Sequence, residues 1–159
     1  VHILTLYPTL DAADDAAKKV YAALPDIKNR PDIFGEQLIM DSEDNVVGYE
    51  EKLLISPTSL SLNELFNVVA DVGGLFIPAH VDRHSYSILT NLGFIPEELD
   101  IKNIEVSKHV EDLSAYLDDR QDLKKYYIFR NSDAHYLENI SQKDAYLDCE
   151  NINDIFLRR

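Results

Sequence analysis

Apolar positions recur along this chain with two periods, and the alternation between them gives the element order. Residues 2–7, HILTLY, read as a strand. Residues 11–24 read as a helix: Asp11 can cap it, acids crowd its first turn, and Lys18 and Lys19 follow where the helix dipole favours cations. Pro25 ends it, and 26–34 read as loop. EQLIMDSEDNVVGYE forms two extended arms around a polar Ser42–Asn45 turn, a β-hairpin pattern. Residues 61–72 give the clearest helix, with Ser61 and Glu64 at capping-box spacing and Leu62, Leu65, Phe66 and Val69 on one face. Gly73-Gly74 closes it. LFIPAH, 75–80, is apolar throughout, as in a strand covered on both faces. A short helix at about 85–92, ending at Gly93, leads to a strand at 101–107. A helix over 111–123 follows, carrying Leu113, Tyr116, Leu117 and Leu123. The remaining elements are a strand YYIF at 126–129, a short strand AYLDC at 145–149 and a helix from Asn151 through Phe156. There is no internal repeat and no low-complexity linker. Strands alternating with helices imply parallel β/α units, hence an α/β fold in one domain over 1–159.

Charge narrows the set of partners. Against 15 Lys and Arg stand 29 Asp and Glu, a formal net charge of −14. Such a surface repels nucleic-acid backbone and anionic lipid, so tracking along DNA and membrane binding are not expected. A small phosphorylated substrate remains compatible, because bound divalent cations reverse the local field. No apolar run approaches the roughly 20 residues of a membrane span, and no signal-peptide pattern is present. The single cysteine, Cys149, has no internal disulfide partner and packs by default, which fits a reducing cytoplasm.

Candidate chemistry gathers at strand ends. His80 directly follows the 75–79 strand, Asp133 and His135 follow the 126–129 strand, and His2 lies within or at the end of the opening one. In parallel α/β folds, side chains converge on ligands at the carboxyl ends of strands. Imidazoles with a carboxylate suit zinc, manganese or iron. Any one of these histidines alone is more often an ordinary polar residue than a ligand; three independent strand ends make the metal reading competitive.

GGLFIPAHVDR and NSDAHYL, at their mutual spacing, resemble the later motifs of the polymerase-and-histidinol-phosphatase (PHP) superfamily of metal-dependent phosphoesterases. The opening VHILTLYP resembles the segment after that family's glutamate-bearing strand, and IFGEQLI and LGFIPEEL resemble a bacterial subfamily. The resemblance covers about 1–145. It implies a partial, TIM-like (β/α)7 barrel of parallel strands flanked by helices, with a small β-hairpin insertion. It also implies phosphoester hydrolysis assisted by divalent zinc, manganese or iron. By resemblance His2 and His80 share one metal, Asp133 binds a second and His135 a third.

The family's His-x-His strand, further histidines and bridging glutamate have no counterpart here. The chain opens Val1-His2-Ile3, with Met40 its only methionine, so the expectation is the C-terminal portion of a longer enzyme, metal-depleted and weakly active or inactive. Its substrate would be small, phosphorylated or nucleotide-like. The competing reading is a non-catalytic PHP-like binding or assembly module, for which an unclosed barrel gives reason to form a homodimer across the open edge. Glu105 either orients a ligand histidine from behind or is a rim carboxylate. Arg83 either clamps a substrate phosphate or leads a solvent-exposed helix. His84 is a weaker version of the same choice, His109 reads as surface, and Ser132 as a turn cap rather than a nucleophile.

Overall fold

The computed structural model describes residues 1–141 and 150–157. Its elements are β1 (Ile3–Leu6), α1 (Leu10–Ala22), α2 (Pro31–Phe34), β2 (Leu38–Met40), β3 (Val46–Tyr49), α3 (Leu62–Asp71), β4 (Leu75–Pro78), α4 (Ile88–Leu92), β5 (Asn103–Ser107), α5 (Leu113–Asp119) and β6 (Tyr127–Asn131). Short 3-10 turns follow α4, α5 and β6, and another spans Ile152–Leu157. The chain is thus mixed α/β with small sheets, and no closed barrel forms among the described residues.

Local chemistry accounts for most boundaries. α3 carries the full capping box: Ser61 Oγ accepts from Glu64 N–H, while the Glu64 carboxylate accepts from Ser61 N–H at 2.8 Å. α1 begins one residue earlier than expected because Thr9, not Asp11, caps it, accepting from Ala12 N–H. Part of the stretch expected as loop, Pro31–Phe34, winds into one helical turn started by proline at its first position. Gly93 sits in the left-handed region at φ 82°, which ends α4. At Gly74, a Cβ would lie 2.9 Å from the Tyr7 ring and from Val69, so only glycine lets β4 leave α3 this closely. The expected strand at 145–149 and Cys149 lie outside the described residues.

The expectation of uniformly parallel strands is corrected. β5 and β6 pair in parallel, but β1 pairs antiparallel with β4, Ile3 opposite Pro78 and Leu6 opposite Leu75. A parallel neighbour is reached by a crossover of a dozen or more residues, usually one helix. Here two packed helices, α1 and α3, with the β2–β3 hairpin between them, intervene before β4 returns. β4 lies beside β5, joined past its end by a hydrogen bond from Val81 N–H to Glu105 O at 2.9 Å.

Strand alternation divides the core in two. Phe76, Ile104 and Val106 face Val69, Ile88 and Leu123 on the helix-covered side, with Ile3, Tyr7 and Ile128 packed around them. Leu75, Ile77 and Phe129 face the other way, onto Leu4, Leu6 and, from the 152–157 turn, Ile155 and Phe156. That second face is only partly covered, and it forms the floor of the main cleft.

Candidate functional site

The antiparallel register explains how a residue at the very start of β1 meets one after the end of β4. His2 precedes β1, and its carbonyl accepts from Ala79 N–H at 3.1 Å, which sets it beside His80. The rings meet edge to face, with His2 Nδ1 3.3 Å from His80 Nε2. The His2 ring also stacks on Tyr86, centroids 4.7 Å apart and planes within 6° of parallel, and the His2 main-chain N–H donates to the Tyr86 carbonyl at 2.8 Å. His2 thus reaches the site from the amino end of its strand, not from a carboxyl end.

A cleft of about 890 Å³ lies over this pair, walled by His2, His80, Glu105, Asn131 and Asp133 and closed on one side by the Ile155–Phe156 turn. Three of the four expected metal ligands therefore share one hollow. His135 does not line it. It lines an adjoining hollow of about 560 Å³ with Arg83, Lys108, His109 and Ser132, and Asp133 forms part of both walls. The His135 Nδ1–H donates to the Asp133 carbonyl at 2.9 Å, leaving Nε2 directed elsewhere. His84 lines neither hollow.

Backbone strain is concentrated here. Among the described residues, five non-glycine positions have positive φ, and three of them are His80 (33°), Tyr86 (58°) and Asp133 (48°). Positions of this kind persist only where surrounding packing over-determines them, and they cluster at functional sites.

Glu105 is 4% exposed in mid-β5 and points into the cleft, not to the rim. Burial pushes its carboxyl above the usual range, against the opposing pull of the His80 main-chain N–H, the His80 ring and the Asn131 side chain. The folded protein therefore holds this proton to higher pH than the unfolded chain. Stability is lost as pH rises from about 4.5, the ordinary value, through the folded one. Glu105→Gln, which keeps the shape and cannot ionise, is expected to be more stable than wild type at pH 7 in EDTA. The two should converge below the ordinary carboxylate range. Urea midpoints across pH 4 to 7 check this; a variant less stable at pH 7 would contradict it. His2 shifts the other way: partial desolvation, then the facing His80 ring, holds its imidazolium below the usual range.

Asp133 is engaged by Arg83, Nη1 to Oδ2 at 2.5 Å, so Arg83 neutralises a proposed ligand instead of waiting free for phosphate. Among the described residues, no three His, Cys, Asp or Glu side chains stand where they could jointly hold a metal ion. The fit to a divalent cation is that of a two-imidazole cradle. Its nitrogens are His2 Nδ1 and His80 Nε2, 3.3 Å apart; the other ring nitrogen of His80, Nδ1, is buried with no hydrogen-bond partner among the described residues, a condition that buried polar atoms rarely tolerate. Asp133 becomes a third donor only when Arg83 releases it.

The reading from sequence passed over three further groups. Asp82 accepts from Ser107 N–H and Oγ at 2.7 and 2.6 Å, clamping the loop after β4 to the end of β5. It stands within the quoted PAHVDR run, so its position was visible though its role was not. Asn131 and Tyr86 carried no signal, because both act through tertiary position.

Compared with known protein families, curated proteins and solved structures, the chain matches none. Among the described residues, no helix is long and apolar enough to cross a membrane.

Proposed function

We propose that this chain carries the substrate-facing part of a divalent-metal-dependent phosphoesterase acting on a small phosphorylated, nucleotide-like compound. The observation that carries the reading is the convergence of His2, His80 and Asp133 on one cleft. Strained main chain at two of those three residues supports it. The resemblance of the PAH and SDAH motifs to PHP phosphoesterases supports it as well.

In this reading His2 and His80 hold a cation of the zinc, manganese or iron type, and Asp133 joins them. A divalent ion there supplies positive charge against the charge that builds on phosphoryl oxygens. The chain's own groups prepare the rest. Glu105 accepts from the His80 main chain and fixes that residue's strained conformation. Asp82 fixes the loop that presents Arg83. Arg83 exchanges its partner Asp133 for a substrate phosphate oxygen, a geometry guanidinium serves well. That one exchange frees a ligand and binds the anion.

The Arg83–Asp133 pair and the lack of a three-donor set among the described residues also favour a second reading, a non-catalytic binding module of the same fold. Equilibrating the purified chain with Mn²⁺ or Zn²⁺, measuring retained metal and assaying an aryl phosphate separates the two. Weakly held metal, below one ion per chain, with slow EDTA-sensitive hydrolysis is the expected result, since two or three donors bind such ions loosely. Neither metal nor hydrolysis leaves the binding module.

A further inference from the structure

We propose that the β2–β3 hairpin is a docking surface for a partner protein that presents an extended apolar segment carrying lysine or arginine. The inference is independent of the cleft and of its chemistry.

The hairpin has a face with no cover. Leu38 stands opposite Tyr49, and a register shift after Ile39 places Met40 against Val46. By strand alternation Leu38, Met40, Val47 and Tyr49 then share one side. All four are exposed, at 43, 48, 62 and 60%. Among the described residues, neither core cluster takes a side chain from 26–55. A lone two-stranded hairpin is marginal in water, and a contiguous exposed apolar face of this kind marks an interaction site.

The surrounding charge selects the occupant. Residues 26–52 contain eight acidic and three basic side chains. At the Tyr49 end lies a hollow of about 300 Å³ walled by Glu36, Glu50 and Glu51, with Lys28 at its edge already paired to Glu51 at 3.6 Å. Asp41, Glu43 and Asp44 border the other end, where the Asp41 carboxylate fixes the turn by accepting from Glu43 and Asn45 N–H. A second copy would set these acidic rims against each other, which disfavours self-association. A partner with apolar side chains alternating with cations fills the face and places a cation in the acidic hollow, combining strand-like recognition with charge complementarity.

The test uses a synthetic peptide of alternating valine and lysine, followed by amide chemical shifts of the labelled protein. Saturable binding with shifts confined to about residues 36–51 is expected. A serine–lysine peptide of equal charge should bind at least about tenfold more weakly. Val47→Lys, at an exposed position, should weaken the valine–lysine peptide by a similar factor. Equal binding of the two peptides, shifts mapping elsewhere, or no binding overturns the proposal. So does light scattering that finds a dimer dissolved by Val47→Lys, since the occupant would then be a second copy.

Discussion

His80→Ala is expected to lower metal-dependent hydrolysis of an aryl phosphate by about two orders of magnitude or more, since even indirect partners of a metal ligand contribute 10- to 100-fold. Retained metal should fall with it. His80 is 3% exposed, holds φ at 33° and faces His2 across 3.3 Å, so its replacement alters packing as well as chemistry. Two companion variants separate these effects. His80→Asn keeps a residue type that tolerates positive φ and should hold stability closer to wild type while losing activity. His2→Ala truncates a ring that is largely exposed and stacked on Tyr86, so it should lose activity with little change in melting temperature. Full hydrolysis and full metal content in His2→Ala and His80→Asn together would sink the phosphoesterase reading and leave the binding module.

The sequence foretold local features well and spatial ones unevenly. α3 was readable because Ser61, Glu64 and the Leu62, Leu65, Phe66 and Val69 face all report the same helix within ten residues. The hairpin was readable from its polar turn. Strand direction was not, because a period of two is the same for parallel and antiparallel neighbours. β1 therefore turned out opposed to β4, and His2 reaches the cleft by an unexpected route. The gathering of His2, His80 and Asp133 could be anticipated from residues at strand ends. The exclusion of His135 could not, since the two-residue step from Asp133 passes through a left-handed turn at φ 48° that sends the imidazole into the neighbouring hollow. Arg83's bond to Asp133 spans 50 residues and has no local signature. Nor does the placement of Ile155 and Phe156 against the cleft floor.

Ile104→Ala is expected to destabilise the protein by about 4 kcal/mol, and Ile77→Ala by about 2 to 3 kcal/mol, although both side chains are fully buried. The difference follows from what lies behind each face of the sheet. Ile104 points to the helix-covered side, among Val69, Ile88 and Leu123, all 0–1% exposed, where backbone on both sides restrains collapse and a cavity persists. Ile77 points to the cleft side, where its neighbours Leu4, Leu6, Phe129 and Ile155 themselves line the 890 Å³ hollow. Those side chains have room to close over the three carbons removed, so less of the cavity cost remains. With typical domains stable by 5 to 15 kcal/mol, Ile104→Ala should populate unfolded chain well below the wild-type midpoint, read from urea denaturation at constant slope. Equal losses at the two positions would mean that the cleft floor is as rigidly packed as the helix-covered core. An open, ligand-ready hollow beside His80 would then lose its physical basis.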